Sequence, residues 1–221
     1  PTMPIGKQVA ESLIKHNKVS KKEGLAQALE LLKLVGIPNA EKRLKNYPHQ
    51  FSGGMRQRVV IAIALAARPR LIVADEPTTA LDVTIQAQIL KLMTDLIRAE
   101  GCSLMLITHD LAVVSEVADR INVMYCGKIV ESGAARDVID RSAHPYTHGL
   151  ISSIPDLGTE KERLDTIPGI VPNMFDLPSG CYFSPRCSRA QERCRREAPQ
   201  LREVARGHCA ACHFPLCGEV K

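Results

Sequence analysis

The chain has 221 residues, 45% of them hydrophobic, which suffices for one full domain and a small appendage. Its longest wholly apolar run, Val59 to Ala67, falls far short of the roughly 20 residues a membrane-spanning helix needs, so the sequence predicts that any membrane connection runs through a partner. The net charge is +5, but residues 181 to 221 hold eight Lys/Arg against four Asp/Glu, leaving a nearly neutral body. That distribution argues against nucleic-acid binding, which calls for a broad basic face.

Pro1-Thr2-Met3-Pro4 carries no initiator methionine, and an amphipathic pattern with Val9, Leu13 and Ile14 follows almost at once, so the start reads as a cut end. Residues 8 to 35 read as helical, broken near Asn17 to Ser20, with Leu25, Leu29 and Leu32 on one face and a stop at Gly36 and Pro38. From Phe51 the pattern alternates: helix 55–67, strand 71–74, helix 84–99, strand 103–108, helix 110–119 and strand 121–125. Such alternation predicts an α/β fold with a largely parallel sheet covered by helices. Ile85, Ile89, Leu92 and Leu96 give the 84–99 helix its apolar face. Gly127-Lys128 between two short apolar runs predicts a hairpin. Short helices follow Ser132, then a Pro/Gly-rich linker from Pro155 to Gly180, then a cysteine-rich tail.

Three stretches carry candidate chemistry. Arg70 to Ala74 forms an apolar strand ending in Asp75 and Glu76, which Pro77 then breaks. Carboxylates at the C-terminal edge of a strand lie where open α/β sheets bind ligands. In a nucleotide hydrolase one can hold Mg²⁺ and the other can polarise an attacking water; as plain structure, the pair caps the next turn. Ser52-Gly53-Gly54 opens the following apolar helix, where exposed backbone N–H groups, the helix dipole and the Ser52 hydroxyl suit an anion; as plain structure, the glycines make a turn. Leu104 to Thr108 is a second strand, ending in His109 and a candidate N-cap, Asp110.

Taken in order, Ser52-Gly53-Gly54-Met55-Arg56-Gln57-Arg58, the strand ending Asp75-Glu76-Pro77-Thr78, Ala80-Leu81-Asp82 and Ile107-Thr108-His109-Asp110 resemble four motifs of ATP-binding cassette (ABC) proteins. These are the signature, Walker B, D-loop and switch-histidine motifs. The resemblance implies a P-loop NTPase fold, here incomplete, with a helical signature subdomain and a small Cys-rich C-terminal extension. It implies ATP and Mg²⁺ as cofactors, with Asp75 as the Mg²⁺ carboxylate, Glu76 as general base and His109 as γ-phosphate sensor. Asp82 becomes a contact across a dimer, and Ser52, Gly53 and Gly54 an anion cradle that closes on nucleotide held by a second subunit. The expected segments are 1–58, helical and ending in the signature; 59–142, the α/β core; 143–180, linker and short helices; and 181–221, the Cys-rich region.

Asn46-Tyr47-Pro48-His49-Gln50-Phe51, His144-Pro145-Tyr146-Thr147 and the tail residues Gly180-Cys181 through Pro185-Arg186-Cys187 are similar to the dipeptide/oligopeptide import ATPases, a group that includes nickel importers. That similarity implies an ATPase coupled to peptide transport, peripheral on the cytoplasmic face of the membrane. Its partners would be a second ABC ATPase subunit, transmembrane permease subunits and, indirectly, an extracytoplasmic substrate-binding protein. Cys181, Cys187, Cys194 and Cys212 offer four thiolates that suit either zinc or a [4Fe-4S] cluster, and the similarity favours the cluster. Cys209 forms a CxxC with Cys212 and could replace it; Cys217 has no assigned role. No Gly-x-x-x-x-Gly-Lys-Ser/Thr occurs in the chain, so no β-phosphate cradle is present. The sequence therefore predicts a fragment lacking the Walker A loop, inactive by itself, whose full-length parent is the enzyme. The alternative is a non-catalytic regulatory or partner-completing ABC fragment.

Overall fold

A computed structural model describes residues 1–154 and 166–216. The chain packs as two units, Pro1–His109 and Asp110–Lys221. This division differs from the four expected segments, because the helix opened by Ser52 runs across the 58/59 boundary and shares one core with the helices before it.

The first unit begins with α1 (Ile5–Asn17) and α2 (Lys21–Leu34), joined by a turn in which Lys18 takes the left-handed conformation. Ser20 caps α2, its hydroxyl accepting from Glu23 N at 3.2 Å, and Gly36 at φ +75° ends it. Gly24, Ala28 and Leu32 form the buried stripe of α2, while Leu25 is 40% exposed. The expected Leu25/Leu29/Leu32 face is thus rotated, because small residues win the inner position: a Cβ on Gly24 would lie 3.1 Å from Ile14 Cγ1. After the short α3 (Ala40–Arg43) and a 3₁₀ turn at Pro48–Gln50 comes α4 (Gly53–Ala66). Val59, Ala62 and Leu65 of α4 join Val9, Leu13, Ala28 and Leu32 in the core. Arg58 donates to the Val35 carbonyl at 2.7 Å, tying α4 to the end of α2.

Strand β1 (Leu71–Asp75) pairs in parallel with β2 (Ser103–Ile107), Asp75 opposite Ile107. Between them α5 (Val83–Ala99) buries Ile89, Leu90, Met93, Leu96 and Ile97. The ribbon presents Leu71, Val73, Met105 and Ile107 to solvent on one face, Val73 at 56% exposure.

The second unit holds α6 (Leu111–Val117), capped by Asp110 as its sequence predicts, then β3 (Arg120–Tyr125) and β4 (Lys128–Ala134), α7 (Ala135–Asp140), α8 (Pro145–Ser152), α9 (Glu192–Arg196), β5 (Arg202–Ala205) and β6 (His208–Ala210). Here the expected hairpin forms, and residues 120–125 join an antiparallel sheet of order β3-β4-β6-β5, so that among the described residues only β1 and β2 pair in parallel. Cys126 and Gly127, both at positive φ, make a two-residue hairpin that pairs β3 with its sequence neighbour. The tail is no separate body, since β6 adds to β4 with Glu131 opposite Ala210 and Ser132 opposite Cys209. Phe183 enters the core of Ile121, Val123, Tyr125, Val130 and Val138, its ring centroid 5.3 Å from Tyr125 and 5.4 Å from Tyr146. Of the expected linker, residues 155–165 lie outside the described residues, as does Cys217. No helix among the described residues is long and apolar enough to cross a membrane.

Candidate functional site

Parallel pairing of β1 and β2 brings their C-terminal ends, and the loops that follow, to one edge of the ribbon. Asp75 is the last residue of β1 and exposed to solvent. Glu76 N donates to the Ile107 carbonyl at 2.9 Å, one step beyond the ladder, and the chain then turns sharply. Glu76 sits at φ +48°, in the left-handed region, immediately before Pro77. A residue preceding proline ordinarily stays extended, so this backbone is strained by about 1 kcal/mol or more. Buried Pro77 and Thr78 anchor the turn that holds it there.

Both oxygens of the Glu76 carboxylate are engaged. His109 Nδ1 donates to Oε1 at 2.8 Å, and Thr79 Oγ1 donates to Oε2 at 2.9 Å. The His109 bond, then the Thr79 bond, hold the Glu76 carboxyl below the usual range, so it is ionised at neutral pH. A carboxylate acceptor fixes the imidazole proton on Nδ1. The structure thus brings Glu76 and His109 together, with Asp75 adjacent. Thr79 was missed by the sequence reading, because a hydroxyl in a turn has many ordinary uses.

Asp82 caps α5, Oδ1 accepting from Ile85 N at 2.9 Å. Ser52 caps α4, Oγ accepting from Met55 N at 3.3 Å, which leaves its hydroxyl hydrogen able to donate outward. Gly53 and Gly54 have a packing reason for being glycine: a Cβ would lie 3.2 Å from Leu81 Cδ2 and 2.8 Å from Ile85 Cγ2, respectively. Ser52 to Gly54 therefore lie against the turn that carries Asp82.

In the second unit Cys181, Cys187, Cys194 and Cys212 line one small cavity with His144, Phe183 and His213. Burial pushes the thiols of Cys181 and Cys187 up, and that of Cys212 to about 11. Among the described residues, no three such groups gather tightly enough to hold a single metal ion. Cys209 lies on β6 and is not part of the lining. The donor set, four thiols around one cavity, fits a cysteine-ligated centre in kind and number.

Two further groupings escaped the sequence reading. Glu131, fully buried, accepts from Ala143 N at 2.6 Å, His144 N at 2.9 Å and His208 Nε2 at 2.7 Å, joining β4, β6 and the approach to α8. Arg186 donates to the carbonyls of Pro168 and Ile167 at 2.9 and 3.1 Å, pinning the middle of the linker. Residue separations of 77 and 19 hide both from local pattern reading.

The fold is that of an ATP-binding cassette. The solved ATP-binding cassette MJ0796, in a dimeric post-hydrolysis state bound to ADP and phosphate, is 33% identical, with a TM-score of 0.54, over 62% of this chain and 58% of that one. The family described as "ABC transporter" matches residues 5–79, and "Oligopeptide/dipeptide transporter, C-terminal region" matches residues 130–194. The Dipeptide transport ATP-binding protein DppD of Haemophilus influenzae is 52% identical across 98% of this chain and 65% of its own length. DppD of Escherichia coli is 49% identical, covering 98% and 66%, and the Oligopeptide transport ATP-binding protein AppD of Bacillus subtilis 51%, covering 96% and 65%. The chain thus spans about two thirds of the length of these relatives. It belongs to the ABC transporter family, and its second matched segment is that of the oligopeptide/dipeptide transporter C-terminal region.

Proposed function

We propose that this chain is the hydrolytic part of an ATP-binding subunit that energises import of dipeptides or oligopeptides. The observation that carries the reading is the Glu76–His109 pair at 2.8 Å, at the C-terminal end of β1 and β2, in a chain 52% identical to a dipeptide transport ATP-binding protein. Glu76, ionised and held from both sides, is suited to accept a proton from a water attacking the γ-phosphate. His109 steadies that carboxylate through Nδ1 and, as γ-phosphate sensor, would reach the phosphate through Nε2. Asp75, exposed at the strand end, suits Mg²⁺ held through water, and the ion would supply neutralisation of phosphate charge. Ser52, Gly53 and Gly54 offer the α4 N-terminus to an anion, and Asp82, beside them, faces the second ATPase subunit. That pairing, permease subunits in the membrane and an extracytoplasmic substrate-binding protein acting through them place the chain peripherally on the cytoplasmic face. The chain holds no Gly-x-x-x-x-Gly-Lys-Ser/Thr, so in this reading the phosphate-binding loop is supplied from outside these residues.

Cys181, Cys187, Cys194 and Cys212 are read as ligands of a [4Fe-4S] cluster. Zinc–sulfur bonds of about 2.3 Å draw four thiolates tightly together, whereas a cluster spaces them more widely around a cavity. The reading rests on four thiols lining one cavity, and the similarity to the peptide-import ATPases favours the cluster over zinc.

The test is Glu76→Gln in the full-length subunit. ATP binding is expected to persist while turnover falls about 100-fold or more, the scale of a lost general base. Unchanged turnover removes Glu76 from the chemistry.

A further inference from the structure

The two hydrogen bonds to Glu76 come from different directions and play different parts. His109 reaches Oε1 from the loop after β2, at 2.8 Å. Thr79 reaches Oε2 from within the turn that follows Glu76 itself, at 2.9 Å. One bond alone leaves a carboxylate free to rotate about its terminal torsion, which has a broad energy profile. Two bonds, one to each oxygen, fix the carboxylate plane.

Thr79 is itself held for this task. Its N–H donates to the Glu76 carbonyl at 3.2 Å, closing the turn, and Leu81 N donates back to the Thr78 carbonyl at 3.2 Å. Ala80, next in sequence, takes φ +65°, and buried Pro77 and Thr78 pin the turn from below. A β-branched side chain has few χ1 choices, so its hydroxyl is set by the turn geometry.

Resting on the reading of Glu76 as general base, we propose that Thr79 is a positioning residue for ATP hydrolysis, its hydroxyl orienting the Glu76 carboxylate so that one lone pair faces the attacking water. Serine keeps this donor; valine keeps the shape and removes it.

The experiment uses the full-length subunit with Thr79→Val, Thr79→Ser and Thr79→Ala, beside Glu76→Gln. Thr79→Val and Thr79→Ala are expected to lower kcat about tenfold, the scale of one charge-assisted hydrogen bond, with KM for ATP within about twofold of the parent. Thr79→Ser is expected to keep more than about half of kcat. In this chain alone, NMR order of the Glu76 side chain is expected to fall with Thr79→Val and to hold with Thr79→Ser. Parental kcat and undiminished Glu76 order in Thr79→Val overturn the proposal while Glu76→Gln still stops turnover. Normal turnover in Glu76→Gln instead overturns the functional reading on which the proposal rests.

Discussion

His144 is buried to 1% exposure, and burial pushes its imidazole from the ordinary 6.5 down to about 4. Its Nδ1 accepts from Tyr146 N at 3.1 Å, capping α8, and its ring lies 5.8 Å from Phe183. The unfolded chain protonates this residue near pH 6.5, but the folded chain does so only near pH 4. Between those values the unfolded state binds more protons, so stability falls as pH drops through that window, by up to about 3 kcal/mol. Urea unfolding of the chain at pH 7 and at pH 4.5 checks this. His144→Asn, which keeps a capping acceptor and does not titrate, is expected to lose less stability than the parent between the two pH values. At this scale the sequence exposed the residues whose position in an element is itself the signal: two carboxylates at a strand end, a histidine at the next. It hid Thr79, whose partner is defined by the left-handed turn at Glu76, and Glu131, whose partners lie far along the chain.

Elements were legible where periodicity and stop signals agree. The four apolar residues read on α5 all lie on its inner side, buried or half-buried, and α1 breaks from α2 between Asn17 and Ser20 as expected. Where pairing decides the outcome, the pattern needed the turn signal beside it. An apolar run at 121–125 serves a parallel or an antiparallel sheet equally well, and the Cys126-Gly127 hairpin selects the antiparallel one. Strands β5 and β6 are too short and too polar to announce themselves, yet they bind the cysteine-rich segment to β4 through the ladder and through Glu131. The cysteine cavity belongs to this scale, because loops and helix α9 must all dock to enclose it. Anaerobic purification with assays for iron, sulfide and zinc is expected to give about four iron and four sulfide per chain, lost when Cys194 is replaced by Ser. Stoichiometric zinc without iron contradicts the cluster reading.

As a whole, the chain joins a unit carrying Asp75, Glu76, His109 and α4 to a second unit carrying the hairpin sheet and the cysteine cavity. The first unit leaves Leu71, Val73, Met105 and Ile107 exposed on one face of a two-stranded ribbon, and it contains no phosphate-binding loop. An uncovered apolar sheet face is a liability that proteins manage by covering it, and a hydrolytic carboxylate without a phosphate grip has no bound substrate to act on. In the proposed reading these residues hold the general base and its two hydrogen-bond partners, and the grip on ATP is supplied from outside them. The most direct test measures ATP hydrolysis by this chain alone and by the same chain joined to the part of the Haemophilus influenzae relative that lies outside the match. No turnover is expected from the chain alone, and from the joined protein a turnover that Glu76→Gln abolishes while ATP stays bound. Hydrolysis by the chain alone, or hydrolysis by the joined protein that survives Glu76→Gln, contradicts that reading.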